Sequence, residues 1–151
     1  MKDKLSLQEY RKMAKRPKAK KEESLQIMVA EYLRVKYPDV IFHSDFSAGC
    51  KLTLGQAVRN KKMQCGRKYP DMFIAEPVRG YAGLYLELKK EGTKVFKADG
   101  TLYASEHLRA QNETLQALRT KGYKAVFAIG YDSAIRIIQN YMLLGINATF
   151  S

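Results

Sequence analysis

Between Glu22 and Tyr37 the apolar residues Leu25, Met28, Val29, Tyr32 and Leu33 recur at three- and four-residue steps, and Pro38 follows. That spacing predicts an amphipathic helix over residues 22–37. Val40 to His43 reads as a short strand. Residues 49–69 break the pattern and are punctuated by glycine, which predicts a loop, with a short helix around Gln56. Two apolar runs follow, Met72 to Glu76 and Leu84 to Lys90, separated by Pro-Val-Arg-Gly, and together they predict a β-hairpin. Further on, Leu108, Leu115 and Leu118 mark a helix ending at Gly122. Ala125 to Ile129 then forms a strand, and Asp132 or Ser133 caps a last helix that runs to Leu144, before Gly145. The order is helix, three strands, helix, strand, helix. Because the helix at 106–121 joins two apolar strands, a right-handed parallel crossover is expected there, giving an α/β sandwich around a mixed central sheet.

Length and charge narrow the picture. A chain of 151 residues, 46% of them apolar, is sized for one domain with a real core, so residues 22–151 read as one domain behind a tail at 1–21. The net charge is +12, and residues 1–21 carry nine Lys or Arg against Asp3 and Glu9. Such a field attracts polyanions, nucleic acid first and an acidic membrane surface second. The first twenty residues hold no apolar signal-like stretch, and nothing approaches a membrane-spanning length, so a soluble cytoplasmic protein without membrane association is expected. Cys50 and Cys65 form no CxxC pair and have only His43 and His107 to join them, which argues for ordinary thiols over a zinc site.

The chemistry concentrates on the hairpin. If its turn is centred on Arg79, residue i pairs with 158 − i, setting Phe73 opposite Tyr85 and Asp71 opposite Glu87. Side chains alternate along a strand, so Glu87 and Lys89 share one face while Leu84, Leu86 and Leu88 bury the other. Directly opposed carboxylates repel unless something cationic lies between them. A Mg²⁺ ion held by a few carboxylates and several waters is one such occupant. The competing reading makes Asp71, Glu87 and Lys89 the wet side of an exposed hairpin. Glu22 opens the first helix three and four residues before Leu25 and Gln26, near the edge of the buried face, with Glu23 as its rival. Gln111 sits three residues after Leu108 and four before Leu115, which places an amide on a stripe that should face the core. A buried amide needs partners.

The ordered set Glu22, Pro70-Asp71, Glu87-Leu88-Lys89 and Gln111 resembles the PD-(D/E)XK nuclease superfamily. Residues 107–141, "HLRAQNETLQALRTKGYKAVFAIGYDSAIRIIQNY", are similar to the closing half of stand-alone VRR-NUC (virus-type replication-repair nuclease) domains of phages and bacteria. The resemblance spans residues 22–142. It implies the three-layer nuclease-like sandwich and a metal-dependent endonuclease that hydrolyses DNA phosphodiester bonds with Mg²⁺ or Mn²⁺. Asp71 and Glu87 would be metal ligands, Glu22 the helix acid that completes the site, Lys89 the residue that orients or activates water, and Gln111 a supporting residue. It also implies a homodimer that nicks branched DNA such as Holliday junctions. The acid-free segment bearing Lys51, Arg59, Lys61, Lys62, Arg67 and Lys68, with the basic tail, would grip backbone phosphates without reading sequence. A restriction-type or end-processing nuclease and a non-catalytic basic DNA-binding module are the alternatives.

Overall fold

The computed structural model describes residues 22–45, 47 and 51–148; the basic tail and Cys50 lie outside them. Along the chain run α1 (Glu22–Lys36), β1 (Phe42–Ser44), α2 (Leu54–Met63), β2 (Met72–Ile74), β3 (Leu84–Lys89), α3 (Glu106–Thr120), β4 (Lys124–Ile129) and α4 (Tyr131–Ala148). The strands form one sheet in the order β1-β2-β3-β4. The β1/β2 and β2/β3 pairs are antiparallel, and β3/β4 is parallel, joined through α3 as the crossover.

Two cores, one on each side of the sheet, make it a three-layer sandwich. On one side Leu84, Leu86 and Leu88 of β3 pack with Leu25, Val29 and Leu33 of α1 and with Ile138 and Tyr141 of α4. On the other, Tyr85 and Phe127 pack with Leu108 and Leu115 of α3. Every residue of β3 is buried, so this strand is the spine of the molecule. Glu87 and Lys89, only 4% and 5% exposed, are therefore sealed beneath α3. The exposed-hairpin reading is corrected here: the face that alternation marks as polar is covered by a helix from more than fifteen residues downstream.

Three boundaries also differ from the sequence reading. The strand expected at Val40 to His43 forms over Phe42–Ser44. The glycine-punctuated segment is not mainly loop: ten of its residues form α2, started by a capping box in which the Thr53 hydroxyl accepts from Gln56 N–H and the Gln56 side chain accepts from Thr53 N–H. The last helix does not stop at Leu144. Gly145 lies within it and faces Val78 of the hairpin turn, where an added Cβ would make an ordinary contact at 3.5 Å.

Candidate active site

The hairpin brings the site together. Its register pairs Met72 with Leu86, Phe73 with Tyr85 and Ile74 with Leu84, which is the 158 − i rule, and one further step sets Asp71 opposite Glu87. Asp71 Oδ2 accepts a 2.7 Å hydrogen bond from the Leu88 backbone N–H, so its carboxylate is turned onto β3. Lys89 Nζ lies 3.5 Å from Glu87 Oε1. From the covering helix, Gln111 Nε2 donates a short hydrogen bond to the same oxygen. Four of the five residues singled out by sequence, Asp71, Glu87, Lys89 and Gln111, thus converge at one end of the central strands. Glu22 begins α1, but its side chain and that of Glu23 lie outside the described residues.

Electrostatics mark Glu87 as a group held away from its preferred state. Burial, with the neighbouring Asp71 carboxylate adding to it, pushes its pKa up to about 8, and Lys89 only partly opposes the shift. Gln111 Oε1 is buried without a hydrogen-bond partner. Two carboxylates and an orphaned amide oxygen make a cluster of hard oxygen donors short of positive charge, and that donor set fits a divalent cation such as Mg²⁺ or Mn²⁺. Among the described residues no group of three or more His, Cys, Asp or Glu side chains is gathered. Asp45, in register with Asp71 across β1, spends its carboxylate on the backbone N–H and hydroxyl of Ser47 at 2.9 and 2.7 Å.

Two supports were not singled out by sequence. Gln26, 7% exposed, donates through Nε2 to the carbonyls of Asp45 and Asp71 at 2.9 and 3.1 Å, which pins the first turns of α1 to the start of β2. A glutamine one helical turn after Glu22, on the same helix face, was a usable signal. Beside the acids, Tyr85 stacks on Phe73 at 4.4 Å and meets Tyr123 and Tyr69 edge-on at 5.2 and 5.6 Å. This aromatic floor stiffens the two strands that carry Asp71 and Glu87.

The six basic residues Lys51, Arg59, Lys61, Lys62, Arg67 and Lys68 are all exposed. Three of them, Lys61, Arg67 and Lys68, line a groove of about 720 Å³ whose opposite wall is Ala110, Glu113 and Thr114, on the turn of α3 that carries Gln111. His43 and His107 are both exposed.

Comparison with solved structures settles the architecture. A structure described as a VRR_NUC domain protein matches over 85% of this chain and 93% of its own, with a TM-score of 0.59 and 28% sequence identity. The fold is that of a VRR-NUC domain. The resemblance carried by Pro70-Asp71, Glu87-Leu88-Lys89 and Gln111 is thus borne out at the level of fold, although no protein-family model and no curated protein matches the chain. Among the described residues no helix is long and apolar enough to cross a membrane.

Proposed function

We propose that this VRR-NUC-type domain is a metal-dependent, structure-selective DNA endonuclease that cuts phosphodiester bonds at the Asp71–Glu87–Lys89–Gln111 cluster. Its preferred substrate in this reading is branched DNA such as a four-way junction. The observation that carries it is the buried Glu87 carboxylate, set beside the buried Lys89 and opposite the half-buried Asp71, on a nuclease-like fold. An arrangement this costly to folding is kept where it has chemistry to do.

Asp71 and Glu87 would hold the Mg²⁺ or Mn²⁺, with Glu22 completing the set from α1. When bound, such an ion polarises the phosphate and makes a water molecule more acidic. Lys89, fixed beside Glu87, positions a nucleophilic water or offsets the charge that grows on the phosphate in the transition state. Gln111 holds Glu87 in one orientation, the office that partners of ligating carboxylates commonly perform. The exposed cations of α2 and the following loop, with the basic tail, bind backbone phosphates and supply affinity that salt weakens. Two such domains in a two-fold homodimer would face two strands of a junction.

The test incubates the purified protein with labelled four-way junction, splayed-arm and linear duplex DNA in Mn²⁺, Mg²⁺ or EDTA, alongside Glu87→Ala. Cutting that needs metal and Glu87 and favours the junction is expected. Cutting of linear duplex at a fixed sequence would point to a restriction-type enzyme. Tight, salt-sensitive binding without any cutting would reduce the chain to a DNA-binding module.

A further inference from the structure

The groove between the α2 loop and α3 has an unusual division of charge. Lys61, Arg67 and Lys68 form one wall, while the other carries Glu113 with Ala110 and Thr114. Opposite charges that line one cleft can close into ion pairs. Here no ion pair joins Glu113 to the basic wall among the described residues, and Glu113 is exposed. The Thr114 hydroxyl is turned back onto the Ala110 carbonyl at 3.2 Å, which leaves the Glu113 carboxylate as the outward-facing acceptor of that wall. A simple polyanion would be drawn to the lysines and repelled by Glu113. A complementary ligand needs negative charge on one side and hydrogen-bond donors on the other.

We infer that this groove is a subsite for an unpaired nucleotide next to the phosphate being cut. The nucleotide's phosphates would lie on Lys61, Arg67 and Lys68, and its base would present an exocyclic amino group to Glu113. Cytosine N4 and adenine N6 donate such a hydrogen bond, whereas thymine offers only a carbonyl and a methyl group at that position. In duplex DNA one hydrogen of each amino group is used in base pairing and the other stays available in the major groove, so preference for a frayed or branched strand would come from the second backbone, whose phosphates Glu113 repels. The groove lies around α3 from the buried Gln111–Glu87 contact, with Ala110 and Thr114, the immediate neighbours of that turn, in its lining. The inference deepens the nuclease reading and rests on it for the position of the cut.

The experiment measures binding of fluorescein-labelled dC4 and dT4 tetranucleotides to the full chain in EDTA at low salt, for wild type, Glu113→Ala and Arg67→Glu. Both substituted side chains are solvent-exposed, so the fold is retained. Wild type should prefer dC4 by at least about fivefold, which is the lower end of what a base-edge contact contributes. Glu113→Ala should erase that preference while leaving dT4 binding unchanged or somewhat tighter, because a repelling charge is removed, and Arg67→Glu should weaken both by about tenfold or more. Equal binding of dC4 and dT4 by wild type, or an undiminished preference in Glu113→Ala, overturns the subsite. Mn²⁺-dependent cleavage of a junction, assayed in parallel, separates the two ideas. A dC preference without cleavage leaves the subsite standing and removes the nuclease, and cleavage without a preference does the reverse.

Discussion

Gln111 of α3 donates its side-chain amide to Glu87 of β3 across a face that solvent barely reaches. The bond joins the crossover helix to the central strand at the point where Asp71 also arrives, and it leaves Gln111 Oε1 buried without a partner. Gln111→Ala should therefore lower the rate of metal-dependent cleavage by about 10–100-fold, as loss of a ligand-orienting partner does. DNA binding in EDTA should change little. Gel-based cleavage and fluorescence anisotropy on the same preparation check both halves.

Glu87 makes the metal-free protein sensitive to pH. Its folded-state pKa of about 8 lies above the ordinary value of 4.5, so between these limits the folded chain holds the proton more tightly than the unfolded one. The favourable contribution of this group is thus complete in acid and is lost as pH rises towards 8. Glu87→Gln removes that dependence. In EDTA its melting temperature should exceed that of wild type by several degrees at pH 8, with the gap closing towards pH 5. A gap that is constant or widens in acid would contradict the assignment.

The hold of Gln26 on the carbonyls of Asp45 and Asp71 predicts a structural loss. Gln26→Ala leaves two hydrogen bonds unmade at the edge of the core, at a cost of about 1–3 kcal/mol. Urea denaturation at constant slope reads this directly.

Gly83 has no room for a side chain: a Cβ there would stand 2.7 Å from Phe73 Cε2 and 3.0 Å from the Ile74 carbonyl oxygen. Phe73 is itself clamped against Tyr85 and Tyr123 and cannot step aside freely. Gly83→Ala should cost about 1–3 kcal/mol through overpacking. Urea denaturation should show that loss, and cleavage should fall with it as the strands bearing Asp71 and Glu87 shift.

The hairpin was legible from the sequence because two constraints agreed. Met72 and Ile74 had to share a buried face with Leu84 and Leu86, and Pro77 to Gly80 supplied a turn of the right length, closed by the Val78–Tyr81 bridge. With the register fixed, Asp71 and Glu87 followed. Burial of Glu87 was not legible there. A strand reading Leu-Tyr-Leu-Glu-Leu-Lys looks half-exposed, and only the packing of Leu108 and Leu115 against Tyr85 and Phe127 covers its second face. Helix α2 was understated for a different reason. It buries no residue, so it has no apolar stripe to find, and Thr53 with Gln56 was the local sign of its start. The α3 stripe, by contrast, placed Gln111 correctly, since its spacing from Leu108 and Leu115 put the amide on the core side.

The most direct measurement is a calorimetric titration of Mn²⁺ into wild type, Asp71→Asn and Glu87→Gln. Asp71→Asn keeps an acceptor for Leu88 N–H, and Glu87→Gln keeps the volume, so both variants should stay folded. Saturable binding by wild type, weakened by about tenfold or more in each variant, is the expected result. Equal Mn²⁺ affinity in all three proteins would show that Asp71 and Glu87 do not form the metal centre.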